Sequence, residues 1–169
     1  MATTGKVRSN LLAVFIERIY NEAGEVTAVG GLGGTEDTYN AIGASNNATL
    51  SLTRDTIDAT KKENDGARVI LPAGEQFSMT CEGFVQYDST TTYHAVDLFD
   101  IWKAKHKVVL AWMTGADDDH MFTGDAYIVS IEQSAGTNEA ATYSITFEGS
   151  GSITKTQIDN PTTHTINHV

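Results

Sequence analysis

The chain has 169 residues and a formal net charge of −11. That is enough for one domain with its own core, and the acidic balance excludes the basic footprint of an ordinary nucleic-acid-binding protein. The single cysteine, Cys81, excludes an internal disulfide, and no stretch approaches the roughly 18 apolar residues of a membrane-spanning helix.

Residues 1–10 read as a polar N-terminal arm, with no secretory leader, because the apolar run from Leu11 to Ile16 is short and ends on Glu17 and Arg18. That run reads as a short strand buried on both faces. Asn21 to Gly24 is a turn, and Val26 to Val29 is a short returning strand. Gly30 to Gly34 is flexible punctuation: it lacks the Gly-Lys-Ser/Thr ending of a phosphate loop.

Ala48 to Thr53 alternates as a strand, with Ala48, Leu50 and Leu52 on one face. From Arg54 the residues turn mostly polar, and Asn64-Asp65-Gly66 is a turn signal, so residues 54–75 are expected to form a long polar loop. Connections in compact domains average about 4–6 residues, so a loop of this length is expected to meet something outside its own domain. Its candidate contact residues are Arg54, Asp55, Asp58, Lys61, Lys62, Glu63 and Asp65.

Gln76 to Val85 is the next strand, with Phe77, Met79 and Cys81 inward and Ser78, Thr80 and Glu82 outward. Asp88-Ser89-Thr90 is a helix start signal, and residues 91–105 place Ala95, Leu98, Phe99 and Trp102 at helical spacing as a core stripe. Lys103, Lys105 and His106 suit the helix's C-terminal end. Lys107 to Met113 is a strand. Phe122 to Gln133 is another, with Tyr127, Val129 and Ile131 sharing a face. After the turn at Ala135 to Asn138, Ala140 to Glu148 returns as a hairpin strand. Tyr143, Ile145 and Phe147 oppose a wholly polar face of Thr142, Ser144, Thr146 and Glu148. Residues 155–169 read as a polar C-terminal arm. The fold class is mainly β: six or seven mostly antiparallel strands in a β-sandwich or open barrel spanning residues 11–154, with one α-helix closing a side.

Catalytic chemistry finds little support. Asp117-Asp118-Asp119-His120 clusters oxygen ligands but lacks the calcium-loop pattern, and an ordinary solvated acidic loop explains it. The five histidines show no metal-ligand spacing, no Gly-x-Ser-x-Gly elbow occurs, and Cys81 has no motif histidine. The expectation is a protein that is not an enzyme, with no catalytic, cofactor-binding or metal residues and no cofactor. An alternative is a β-sandwich binding module, for instance for carbohydrate, with Tyr87, Tyr93 or Trp112 as exposed aromatics.

Four segments occur in an order that resembles a known family: residues 48–60, Ser78-Met79-Thr80-Cys81-Glu82-Gly83, Phe122 to Ile128 after a helix, and Ala141 to Gly151. Over roughly residues 41–154 the chain resembles the major tail protein, or tail tube protein, of long-tailed bacteriophages, while 19–40 and 155–169 match nothing in it. The resemblance implies a structural virion protein, made in the bacterial host cytoplasm, that assembles with itself into hexameric rings stacked as a tube. The tube conducts viral DNA without binding it specifically. Other tail proteins such as tape measure and terminators are implied partners, and a membrane is not. Thr142, Ser144, Thr146 and Glu148 become lumen-lining candidates.

Overall fold

The computed structural model describes residues 12–29, 32, 38–61, 67–87, 92–114, 119–158 and 165–167. Nine strands and one helix are defined among them: β1 (Ala13–Tyr20), β2 (Thr38–Ala41), β3 (Ser45–Asp58), β4 (Ile70–Phe84), α1 (Ala95–Lys103), β5 (Lys107–Met113), β6 (His120–Ser134), β7 (Thr142–Gly149), β8 (Thr154–Gln157) and β9 (Thr165–Asn167). They form one unclosed sheet in the order β3-β4-β7-β6-β5-β1-β2-β9, with β8 against β6. All pairs are antiparallel except β2 with β9. The sheet curls until β3 touches β1, five places away in hydrogen-bonding order. The architecture is therefore the expected open antiparallel one with a single helix.

Two apolar clusters lie on opposite faces of the sheet. The larger takes Val14 and Ile16 from β1, Phe77, Met79 and Cys81 from β4, Val108 and Leu110 from β5, and Tyr143, Ile145 and Phe147 from β7; Leu98 and Ile101 of α1 cover it. The smaller gathers Phe15, Ala111, Met113, Met121 and Ile158. Because β1 feeds both, Val14, Phe15, Ile16 and Glu17 are buried in succession, as a strand covered on both faces requires. A register shift between Ile16 and Arg18 leaves Glu17 as the extra residue, so Ile16 and Ile19 both enter the larger cluster. At the turn after β1, Gly24 adopts φ 79° and the Asn21 side chain accepts the Glu25 amide hydrogen at 2.9 Å.

Several expectations are corrected. Within the expected loop at 54–75, residues 54–58 and 70–75 are strand: β3 and β4 stay paired as far as Asp58 opposite Ile70. Polar side chains hid it, because a ribbon with both faces in water needs no apolar alternation. The C-terminal arm is partly sheet, since β8 and β9 pair with β6 and β2 and Ile158 is buried. Backbone pairing at a sheet edge leaves little mark on side-chain pattern. The segment at Val26–Val29 makes only isolated bridges.

Helix α1 starts at His94 as N-cap, whose backbone amide donates to the Asp97 carboxylate at 3.0 Å; the expected start at Asp88-Ser89-Thr90 lies outside the described residues. Its buried stripe is Ala95, Leu98 and Ile101, whereas Phe99 and Trp102 are exposed. Two apolar stripes one residue apart compete in this helix, and only the sheet beneath selects one. In β6 the inward residues are Ala126 and Ile128, while Tyr127 and Val129 face out. The register shift between Ile128 and Ser130 then returns Ile131 to the core side, so simple alternation failed there.

Candidate assembly surfaces

Strands β3, β4, β7 and β6 form a four-stranded wall whose outer face is polar. Directly opposed residues share a face. The register therefore sets Asn47, Glu82, Ser144 and Glu132 in one row, Thr49, Thr80, Thr146 and Ser130 in the next, and Ser51, Ser78, Glu148 and Tyr127 in a third. Hydroxyls dominate, every charged side chain in the rows is a glutamate, and no lysine or arginine occurs. The Asn47 amide donates to Glu82 at 2.9 Å. Of the lumen candidates, Thr142 and Glu148 are exposed and Ser144 and Thr146 half-buried, all on this face. A duplex carries about one negative charge per 1.7 Å, so such a face offers it no cationic anchor.

Both margins of the wall are open among the described residues. Strand β3 pairs only with β4. Strand β6 loses β5 after Ala126, so its second half pairs only with β7. Unpaired amide and carbonyl rows of this kind are templates for another chain.

The end of the β3–β4 hairpin forms a ribbon leaving the body of the sheet. Its root is Phe77, 5% exposed, whose ring lies against Gly124 of β6 and Gly149 of β7. A methyl on Gly149 would stand 2.3 Å from that ring. Arg54 donates to Glu75 across the ribbon at 2.9 Å, and Gln76 donates to Asp55 at 3.3 Å. Asp58 accepts the Thr60 amide hydrogen at 2.9 Å and lies 3.7 Å from Arg68. The hydrogen bonds from Thr60 lower the Asp58 pKa. Lys61 is exposed. Lys62, Glu63 and Asp65 lie outside the described residues.

Several of the ribbon's polar side chains bond within the ribbon, and beside them it exposes apolar ones: Ile57, Ile70 and Leu71 are each more than half exposed. Reasoning on charged residues missed these; the run Val69-Ile70-Leu71 was the available signal. A second exposed apolar stripe, Val96, Phe99 and Trp102, runs along α1.

The body behind the wall is held by buried and half-buried polar ties. The Tyr143 hydroxyl donates to the Gly43 carbonyl at 2.7 Å, joining β7 to the β2–β3 connection. The Cys81 thiol donates to the Ser45 hydroxyl at 3.2 Å, and burial raises its pKa. Lys107 donates to Asp125 at 2.7 Å and stands 4.8 Å over the Tyr20 ring.

Among the described residues no three His, Cys, Asp or Glu side chains group as metal ligands. Asp117 and Asp118 lie outside those residues, and the Asp119 carboxylate accepts the Thr114 hydroxyl at 2.6 Å. No helix among them is long and apolar enough to cross a membrane. Of the aromatics considered for sugar binding, Tyr93 is wholly buried and Trp112 half-buried against the core; Tyr87 is 71% exposed.

A profile of the family described as phage tail tube protein matches residues 26–155. Among solved structures the chain is similar to one from the tail of an empty gene transfer agent particle refined with C6 symmetry. That pair shares 18% identity and a TM-score of 0.67, over 89% of this chain and 99% of that one. A chain of the native gene transfer agent virion gives 19% identity and a TM-score of 0.60, over 70% and 88%. The SPP1 tail tube gives 14% and 0.56, over 89% and 80%. At these identities the likenesses establish the fold. A search of curated protein sequences finds no match.

Proposed function

The chain belongs to the phage tail tube protein family, a structural component of a virion tail rather than an enzyme, and from there we propose that six copies close edge to edge into rings that stack as a DNA conduit. The observation carrying this is the parity of the wall. Its three internal pairings are all antiparallel, so β6 runs opposite to β3. Rotating one copy about a ring axis sets its free β3 margin beside the free β6 margin of the next, still antiparallel. An odd number of strands would break that alternation at every junction. The contact is heterologous, and a heterologous contact whose rotation closes makes a ring.

Six-fold closure is supported by the C6 symmetry of the gene transfer agent tail. Six copies of a four-stranded wall exceed the roughly 16–18 strands at which a barrel already leaves an aqueous channel. With the hydroxyl and glutamate face inward, including Thr142, Ser144, Thr146 and Glu148, the lining repels phosphate and DNA slides without adhering. The ribbons carrying Arg54, Asp55, Asp58 and Lys61 project from each ring and serve contacts between copies. Terminator and tape-measure proteins are the natural partners at the tube's ends and interior.

Electron microscopy of the purified protein across concentration and salt is the test. Six-fold rings and tubes are expected, with the β3 and β6 margins adjacent in neighbouring copies. A strict monomer under all conditions, or rings whose lumen is lined by another face, would overturn the proposal. A second measurement reads the lining: Thr146→Lys/Glu148→Lys tubes should retain duplex DNA in a salt-dependent manner, whereas wild-type tubes should not.

A further inference from the structure

Arg18, Arg54, Arg68 and Lys107 each lie against a carboxylate, at 2.9, 2.9, 3.7 and 2.7 Å. Lys103 and Lys105 have no such partner among the described residues, although the chain carries 22 acidic side chains. Both line a cleft of about 420 Å³ at the C-terminal end of α1, together with Trp102, Tyr127 and Ile128. No acidic side chain lines it among the described residues. Trp102 and Tyr127 are 43% and 42% exposed.

The backbone explains why these residues meet. Strand β6 pairs with β5 only as far as Ala126, opposite Val108, so β5 begins beside Tyr127. Residues 104–106 carry the chain from α1 to that point. The His106 amide donates to the Ile101 carbonyl at 3.0 Å and the Lys105 amide to the Trp102 carbonyl at 3.1 Å. This pair of bonds ends many helices and requires a left-handed residue, usually glycine. Here the residue is Lys105, with φ 55°. A side chain is strained at that position, and this one adds a second ammonium to the cleft. The Phe99 ring lies 5.8 Å from the Trp102 ring, tilted 41° to it, and backs the indole.

Two half-exposed aromatic rings beside two unpaired cations specify a ligand with a ring face and an acid group. Aromatic faces are electron-rich, and the C–H face of a pyranose is apolar and slightly positive. An ammonium on a flexible stem holds a carboxylate or phosphate as a point charge. A nucleic acid fits less well, because Glu148 stands directly opposite Tyr127 and repels a run of phosphates. A ligand with one acid group, held at the lysines, avoids that repulsion. The volume falls within the range of small-molecule sites and suits one or two sugar rings.

We infer that the Trp102/Tyr127 cleft binds an acidic saccharide unit, its ring laid against the aromatic faces and its carboxylate or phosphate held by Lys103 and Lys105. These are not the aromatics that the sequence offered for sugar binding. The inference does not rest on the tube reading, since a single copy holds every residue of the cleft.

Titration calorimetry of the full chain tests it, with lactose carrying a terminal sialic acid, lactose phosphate and plain lactose as probes. At least one acidic sugar should bind about tenfold or more tighter than lactose, and more weakly as salt rises. The tighter of the two identifies the acid group. Lys105→Gly is the decisive variant, because glycine suits the left-handed position and the fold is not at risk. It should weaken acidic-sugar binding about tenfold with no fall in Tm. Trp102→Ala, at an exposed position, should abolish binding. Acidic sugars that bind no better than lactose, or not at all at millimolar concentration, overturn the inference. So does unchanged binding by Lys105→Gly. Inorganic phosphate bound as tightly as lactose phosphate would reduce the cleft to an ion site. A single-stranded oligonucleotide bound more tightly than either sugar would make it a nucleic-acid site; both results overturn the inference. Sugar binding by a protein that never forms rings would refute the tube reading alone.

Discussion

Replacing Gly149 by alanine tests how the ribbon is rooted. The new methyl would sit 2.3 Å from Cδ1 and Cε1 of Phe77, against an optimal carbon–carbon separation of about 3.5–4.0 Å. Retreat toward β6 is limited by the Gly124 backbone, over which the ring lies so closely that an added Cβ would stand 2.6 Å from its Cζ. Phe77 also opposes Leu52, the last pair before the ribbon leaves the core. An overlap exceeding 1 Å against a ring clamped on two sides belongs at the upper part of the overpacking range, about 2–3 kcal/mol. For a chain of this size that lowers Tm by roughly 5–10 °C. Urea unfolding followed by tryptophan fluorescence reads the loss as a lower midpoint with an unchanged slope. Trimming the ring should relieve the clash, so Gly149→Ala/Phe77→Leu should lose less than the two single changes summed, by about 1 kcal/mol. A Gly149→Ala protein within about 0.5 kcal/mol of wild type, or strict additivity with Phe77→Leu, would refute the clamp.

Tyr143→Phe removes the hydroxyl that donates to the Gly43 carbonyl and should cost about 1 kcal/mol by thermal unfolding, with ring formation retained. Burial, and then the charge of Asp97, pushes the Tyr93 pKa up to about 12, and burial raises that of Tyr143. For groups whose folded pKa exceeds the unfolded value near 10, stability is complete below pH 10 and lost as pH rises through the folded value. Both phenols should therefore resist ionisation until the chain unfolds in alkali, seen as a late, cooperative rise in tyrosinate absorbance; a smooth titration of all tyrosines near pH 10 would contradict their burial. Replacing residues 56–72 by an Asn-Gly turn removes no buried described residue and should leave ring formation within error of wild type while tubes vanish in micrographs.

The amino-acid sequence alone determined the β class, because inward and outward residues alternate without interruption in Phe77–Cys81 and Tyr143–Phe147, and two-residue periodicity is a local property. It likewise placed the strand at Lys107–Met113, the polar face of Thr142, Ser144, Thr146 and Glu148, and the family. Tertiary structure decided what depends on partners distant in sequence. The ribbon of residues 54–58 and 70–75 shows no alternation because water lies on both of its faces, so only its ladder reveals it. Helix α1 carries two apolar stripes, and the sheet alone chose Leu98 and Ile101 over Phe99 and Trp102. One extra residue between Ile128 and Ser130 inverted the faces of β6, since side-chain direction beyond a bulge depends on how the partner strand is paired. The open margins of β3 and β6 were invisible for the same reason: whether a strand has a neighbour on each side is a property of the sheet and of no residue within it.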